Sequence, residues 1–269
     1  ASLVGQALGR KEPEDAEIHA RLGAALSRSG QHSQALDTLR AAQRTWPDDL
    51  RIRVRLVQAC LEADRRDEAA NEAADTLQSF PESSIAHTLV GQTSLARGDK
   101  QQARRSFERA VELDDSNRGA RDALAGLAVS DNDMEGALSL FRDALASDPD
   151  DLHSLIRLAD VQALQQDNTA ELLTLRQAVN AAPEALEPQL RFARSAILND
   201  KAAEAVAVLR EARERHGDDP RVYQLLAEGF LAMGQLDSAR AASDRLSGIS
   251  SRDPEALRLP ARVATAQGD

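Results

Sequence analysis

Histidine and cysteine are the residues of this chain best suited to bind a metal ion or to act as nucleophiles, and they are few and dispersed. The five histidines are His19, His32, His87, His153 and His216. None of them has a second histidine or a cysteine at ligand spacing on the same predicted helix. Cys60 lies on an apolar helical stripe, where we expect a small buried side chain and not a reactive thiol. These residues predict no metal site, no cofactor site and no catalytic residue.

Pairs of acidic residues could bind calcium, because carboxylate oxygens are ligands that this ion prefers. The pairs are Asp48-Asp49, Asp114-Asp115, Asp150-Asp151 and Asp218-Asp219. They recur at the same kind of turn and lack the alternating oxygen ligands of a calcium loop, whereas a carboxylate placed before a helix caps its backbone N–H groups. A glycine-rich phosphate loop is also missing. The chain is therefore predicted to be no enzyme, and its function is predicted to lie in its surface.

Amphipathic helices carry these residues, and residues 84–117 show them most clearly. Apolar residues return at three- and four-residue spacing over 85–97 and again over 100–113, which predicts two helices. Gly98 between them permits the left-handed backbone that ends the first helix and reverses the chain. The stretch is therefore predicted to be a helical hairpin.

The hairpin pattern recurs every 34 residues without insertion or deletion. The predicted repeats are residues 16–49, 50–83, 84–117, 118–151, 152–185, 186–219 and 220–253, with 1–15 as the second helix of a preceding repeat and 254–269 as the first helix of a following one. The turn site reads Gly30, Asp64, Gly98, Asn132, Gln166, Asp200, Gly234 and Gly268, mostly residues that tolerate a left-handed backbone. Alanine fills one site of the second helix in every repeat except at Glu171. There, either the helix is rotated or the carboxylate extends outward.

Small residues and one aromatic residue within the hairpin carry a family resemblance. Gly91 and Ala103 fall where the two helices approach most closely, and Phe107 fills the space one turn beyond. With Val90, they resemble the tetratricopeptide repeat, a 34-residue helical hairpin. Four repeats also carry the closing proline of the family, at Pro47, Pro81, Pro149 and Pro183. The resemblance covers essentially the whole chain and implies an all-α fold, a right-handed superhelix built as an α-solenoid of antiparallel helical hairpins.

Both ends of the sequence are in phase with the repeat and lack a dedicated polar capping helix. We interpret the sequence as a segment of a longer array. The apolar end residues are then expected to lack neighbours and to fray, or to permit self-association through the uncapped ends; they are Leu3, Val4, Leu8, Leu257, Leu259 and Val263. Pro260 is expected to kink the last helix or to delay its start.

The predicted binding surface is the concave groove, which the first helices line in tetratricopeptide arrays. The resemblance implies that repeat positions 2, 5, 6, 9, 12 and 13 face a ligand. The predicted groove residues are Arg21, Arg28, Arg55, Leu89, Gln92, Leu95, Arg157, Arg191 and Arg194. Most acidic residues are assigned to turns and the opposite side, so we expect partners with acidic segments. The alternative is that the arginines are ordinary surface cations paired within a helix, as in Glu17 with Arg21.

The net charge of −11 argues against a nucleic-acid partner, and no apolar run is long enough for membrane insertion by this segment. The predicted function is a scaffold for a partner protein or peptide within a larger bacterial assembly. Residues 182–188 and 191–193 resemble bacterial tetratricopeptide lipoproteins associated with exopolysaccharide export and PEP-CTERM surface protein sorting, which favours a periplasmic or outer-membrane-associated location. The alternative function is polysaccharide binding or a role in the export apparatus. Sugar sites usually use exposed aromatic faces, and the aromatic residues here form no row along the groove.

Overall fold

The fold is described by a computed structural model, which covers residues 13–250 and 254–267. These residues form α-helices joined by short turns, and they contain no strand. Successive helices up to Ser130, and again from Met134 onward, pack against each other as antiparallel hairpins. The predicted all-α solenoid of helical hairpins is therefore confirmed.

The chain divides into two compact units, Ala1–Asn132 and Asp133–Asp269. The helices of the N-terminal unit are α1 (Pro13–Arg28), α2 (His32–Thr45), α3 (Leu50–Glu62), α4 (Arg66–Ser79), α5 (Ser84–Ala96), α6 (Lys100–Leu113) and α7 (Arg118–Ser130). Its odd-numbered helices, α1, α3, α5 and α7, also pack on one another in that order. Its main core cluster contains Leu36, Leu39, Leu56 and Cys60, all of which are buried.

The C-terminal unit repeats the same plan. Its helices are α8 (Met134–Ser147), α9 (Leu152–Leu164), α10 (Asn168–Ala181), α11 (Leu186–Leu198), α12 (Ala202–His216), α13 (Pro220–Ala232), α14 (Leu236–Ile249) and α15 (Pro254–Gln267). One core cluster extends from α9 to α15 and includes Phe192, Leu209, Leu226 and Leu246.

The turns inside the hairpins have the same backbone conformation at 34-residue intervals. A positive φ occurs at Gly30, Asp64, Gly98, Asn132, Gln166, Asp200 and Gly234, with values from 55° to 84°. The prediction of a left-handed turn residue is therefore confirmed at all seven described sites. Gly268, the eighth site of the sequence pattern, lies outside the described residues.

One aspartate in three of the four acidic pairs acts as a helix cap. The side chains of Asp49, Asp151 and Asp219 each accept a hydrogen bond from a backbone N–H in the first turn of the following helix. At the pair Asp114-Asp115, the cap is instead Asn117, which accepts from the Ala120 N–H. Helix capping thus accounts for Asp49, Asp151 and Asp219, because the first N–H groups of a helix lack partners within it.

Close helix approach occurs at the small residues that the sequence singled out. A Cβ added at Gly91 would lie 2.5 Å from the nearest ring atom of Phe107, which is fully buried. A Cβ added at Gly23 would lie 2.4 Å from the side chain of Leu39 in the first hairpin. Glycine at these two positions therefore lets an aromatic or a leucine side chain from the second helix lie against the backbone of the first.

The last helix differs from the expectation for an uncapped end. Leu259 and Val263 are each only 1% exposed and belong to the core cluster of the C-terminal unit. The expectation that they lack neighbours is wrong, because α15 turns them onto α13 and α14. Helix α15 also runs through Pro260. Residues 1–12, with Leu3, Val4, Leu8 and the predicted preceding helix, lie outside the described residues, as does the side chain of Leu257.

Candidate partner-binding site

In each unit, the first helices of successive hairpins form a surface, here called the A-helix face, and this surface contains a cavity. The N-terminal cavity has a volume of about 420 Å³ and lies between α1 and α3. Its lining residues are Arg21, Ala24, Ala25, Ser27, Arg28, Arg55, Gln58, Ala59 and Glu62. The structure therefore brings the predicted residues Arg21, Arg28 and Arg55 together in one cavity.

The N-terminal cavity has an excess of positive charge. Arg21 is paired with Glu17 at 2.5 Å within α1, as the sequence predicted, and this hydrogen bond holds the pKa of Glu17 below its usual range. Arg55 donates to the side-chain oxygen of Gln58 at 2.9 Å, and Arg28 donates to a backbone carbonyl at 3.3 Å.

Neither Arg28 nor Arg55 pairs with a carboxylate among the described residues. Glu62 is the one carboxylate in the lining, and it accepts a hydrogen bond from the Ser27 hydroxyl. Arg21 is thus neutralised by Glu17 outside the lining, while Arg28 and Arg55 share the cavity with Glu62 as its one carboxylate.

The C-terminal cavity is larger, about 710 Å³, and is lined by α9, α10, α11 and α13. Its lining residues are Ala159, Asp160, Asn168, Glu171, Leu175, Glu187, Leu190, Arg191, Arg194, Ser195, Leu198, Asn199, Arg221, Gln224 and Leu225. Two of the three predicted arginines, Arg191 and Arg194, are among them. Arg157 is not; it is exposed and pairs with Asp160 at 3.3 Å.

The charges of the C-terminal cavity balance, with three arginines and three carboxylates in the lining. Arg191 pairs with Asp160 at 2.5 Å and with Glu187 at 3.2 Å. Burial lowers the pKa of Arg191, but the two carboxylates outweigh this effect and raise it. Arg221 lies 3.7 Å from Glu187 and 2.9 Å from Asp219. The expectation that acidic residues lie away from the groove is wrong here, because these carboxylates lie on the A-helix face.

The predicted apolar zone of the groove is only partly accessible. Leu89 is 2% exposed and packs in the core cluster of the N-terminal unit, so its side chain is a core residue and cannot contact a partner. Gln92 and Leu95 are half-buried, and Ile85 is exposed. An apolar contact near α5 would therefore depend on Ile85 and Leu95.

Several residues of the two cavities were missed by the sequence analysis. Asp160, Glu187 and Glu62 stand at repeat positions 9, 2 and 13, which the family resemblance already assigns to the ligand-facing side. The signal was therefore present but was applied only to the arginines. Glu171 lies on a second helix, so its only signal was the break in the alanine pattern, which did not assign it to the ligand-facing side.

Histidine, cysteine and aromatic side chains do not form a site among the described residues. No group of three or more His, Cys, Asp or Glu side chains in the described ranges could hold a metal ion. Cys60 is buried, and burial raises the pKa of its thiol. Trp46 packs beside His19, and Tyr223 is half-buried and donates to Asp218. No aromatic side chain in the described ranges is exposed as a sugar-binding platform.

Comparisons with protein families agree with the repeat. Three sequence models, each described as a tetratricopeptide repeat, match residues 26–93, residues 1–50 with 123–185, and residues 85–117. Together they span residues 1–117 and 123–185, well over half of the chain. No curated protein sequence matches the chain.

Solved structures give the same fold. The C-terminal part of a tetratricopeptide repeat protein from Cytophaga hutchinsonii has a TM-score of 0.63 at 12% identity, covering 89% of this chain and 98% of that chain. PilW, a type IV pilus biogenesis factor, has a TM-score of 0.56 at 17% identity, covering 77% and 96%. YrrB, described as having an unusual peptide-binding site, has a TM-score of 0.53 at 16% identity, covering 70% and 97%.

At these identities, the structural similarities show the fold alone. Neither they nor the family matches support the narrower resemblance to lipoproteins of exopolysaccharide export. None of the described helices is long and apolar enough to cross a membrane. The repeats, the left-handed turns and the family matches together show that the chain belongs to the tetratricopeptide repeat family.

Proposed function

We propose that this chain is a non-catalytic scaffold that binds a partner protein or an extended peptide segment on its A-helix face. Tetratricopeptide repeat proteins generally serve as protein-interaction scaffolds. The YrrB structure, which shares the fold, is described as containing a peptide-binding site. Exposed side chains on rigid helices suit this task, because the core behind them fixes the positions of the helices and little conformational entropy is lost on binding.

The charge of the N-terminal cavity is the observation that carries the proposal. The protein has a net charge of −11, yet Arg21, Arg28 and Arg55 line one cavity with a single carboxylate. Charges separated by more than a Debye length, about 8 Å at physiological salt, are largely screened, so the local arginines determine what binds there. A planar guanidinium forms paired hydrogen bonds with a carboxylate. The preferred partner segment therefore carries aspartate or glutamate.

The test uses a fluorescein-labelled, glutamate-rich peptide and a twin in which every glutamate is replaced by glutamine. Fluorescence anisotropy measures the dissociation constant of each peptide at several salt concentrations. We expect the glutamate peptide to bind more tightly and to lose affinity as salt is added. Equal binding of the two peptides would contradict recognition of carboxylates.

A triple variant locates the binding. Replacing Arg21, Arg28 and Arg55 by alanine should weaken binding of the glutamate peptide about tenfold, since each exposed charge contributes roughly 0 to 1 kcal/mol. The matched control replaces Arg66, Arg105 and Arg109, which are exposed on second helices of the same unit. Both variants change the net charge equally. If the control weakens binding as much as the cavity variant, attraction by net charge explains the binding and the cavity does not.

The same assay separates the two cavities. Replacing Arg157, Arg191 and Arg194 by alanine should affect the glutamate peptide less, because Arg157 and Arg191 are already paired with carboxylates. A larger effect than that of the N-terminal triple variant would move the acidic-segment site to the C-terminal unit.

A further inference from the structure

Glu171 breaks the repeat at the site where each other second helix has a small buried residue. The corresponding residues Ala35, Ala69, Ala103, Ala137, Ala205 and Ala239 are all fully buried. Glu171 is half-buried and lines the C-terminal cavity, although it belongs to α10 and not to a first helix. Of the two sequence-based interpretations, the structure therefore shows the carboxylate extending away from the close-packing site and into the cavity.

The other carboxylates of the cavity are already neutralised. Asp160 and Glu187 both bind Arg191, and Glu187 also faces Arg221. Among the described residues, the side chains of Glu171 and Arg194 take part in no hydrogen bond or ion pair. A half-buried carboxylate whose side chain has no partner can accept charge-assisted hydrogen bonds from a bound cation.

The walls around Glu171 suit the stem of a long side chain. Leu198 lines the same cavity with an exposed side chain, whereas the lining residues Leu175, Leu190 and Leu225 are at most 6% exposed and belong to the core cluster behind it. Leu198 is 78% exposed, so an apolar side chain borders the opening. Lysine and arginine combine an aliphatic stem with a cationic head, and they bury the stem against apolar surface.

We propose that the C-terminal cavity binds a basic side chain of a partner peptide, with its cation paired to Glu171 and its aliphatic stem against Leu198. Arg194, which is exposed on the cavity lining, binds an acidic residue next to that basic one. The proposed occupant is thus an extended peptide with adjacent charges of opposite sign. This proposal goes beyond the acidic-segment site of the N-terminal cavity, since Glu171 plays no part in that site.

The probe is the peptide acetyl-Leu-Arg-Glu-Leu-amide, and its twin contains citrulline in place of arginine. Citrulline has nearly the same shape as arginine but carries no charge. Nuclear magnetic resonance of the deuterated, nitrogen-15-labelled protein detects weak binding through changes of backbone amide shifts. We expect saturable shifts within residues 168–175, 190–199 and 221–225. The citrulline peptide should bind about fivefold more weakly or worse, because hydrogen bonds to charged groups are the stronger ones.

Two variants and one control test the carboxylate itself. Glu171→Gln removes the charge with little change of shape and should weaken the arginine peptide about fivefold. Glu171→Ala introduces the residue that the other repeats have, and it should weaken binding of the arginine peptide by a similar factor. Agreement between the two variants would show that the effect comes from loss of the carboxylate and not from the glutamine side chain. Glu214→Gln is the matched control, since Glu214 is exposed on α12 and lies outside the cavity. It should leave the affinity unchanged.

Three results would overturn the proposal. They are the absence of saturable shifts in the cavity residues, equal binding of the arginine and citrulline peptides, and equal binding by the wild type and Glu171→Gln. The glutamate peptide tests the N-terminal cavity separately. If the arginine peptide fails to bind the C-terminal cavity, the proposed acidic-segment site of the N-terminal cavity is therefore unaffected.

Discussion

The replacement of Gly91 by alanine tests how closely the two helices of a hairpin approach. The added Cβ would lie 2.5 to 2.7 Å from three atoms of the Phe107 ring, whereas favourable carbon contacts lie at about 3.5 to 4.0 Å. The ring is fully buried, so it cannot turn into solvent to avoid the contact. Either α5 and α6 separate or Phe107 adopts a strained rotamer. We expect the free energy of unfolding to fall by about 1 to 3 kcal/mol.

The matched control is Gly126→Ala, the same chemical change in α7 of the same unit. A Cβ at Gly126 would meet no atom within 4 Å, and the position is exposed. Alanine favours a helix over glycine by about 0.5 to 1 kcal/mol, so this variant should be more stable than the wild type. In urea unfolding followed by circular dichroism, the two variants should shift the midpoint in opposite directions.

Hydrogen exchange locates the effect, because a repeat array need not unfold in a single step. Amides of α5 and α6 should exchange faster in Gly91→Ala than in the wild type. If that variant keeps the wild-type midpoint and exchange rates, the two helices do not approach as closely as the structure describes, and glycine is not required at position 91.

Three further changes test other parts of the fold. Glu171→Ala should leave urea stability unchanged or raise it by up to about 1 kcal/mol, since the other repeats bury alanine there; a clear loss would reveal a structural partner of the carboxylate. Gln166 has a φ of 61°, so Gln166→Gly should raise stability by roughly 0.5 to 1 kcal/mol in the same assay. A hydrogen bond from Arg51 lowers the pKa of Asp49 in the folded state. The stabilisation from Asp49 is therefore full above its unfolded-state pKa of about 4 and is lost as the pH falls through the lower folded-state value. In Asp49→Asn, that part of the acid sensitivity should disappear from urea midpoints measured across this pH range.

The helices and turns could be predicted from the sequence because their signals are local. Apolar spacing marks each helix, and the left-handed turn recurs where the sequence has glycine, aspartate, asparagine or glutamine. Residues four apart on one helix could also be paired correctly, as with Glu17 and Arg21. These predictions depend only on geometry within a helix or a single turn.

The charge balance of the cavities could not be predicted, because it depends on contacts between repeats. Arg191 binds Asp160, which is 31 residues earlier and on a different helix. Spacing within one helix cannot show this pair. The burial of Leu89 likewise results from packing against the preceding repeat, although its helix position alone assigned it to the groove.

The spacing of the first helices has a consequence for engineering. In the N-terminal unit they begin at Leu50, Ser84 and Arg118, which are 34 residues apart. The length of this region can therefore change in steps of 34 residues. Removing residues 84–117 as a block would join turn positions that are equivalent in the repeat and would keep the helical register of the residues that follow. A single residue inserted within α5 would instead rotate the rest of that helix by about 100° and turn its apolar side away from its neighbours. Such an array can gain or lose whole 34-residue repeats far more readily than it can accept one extra residue inside a helix.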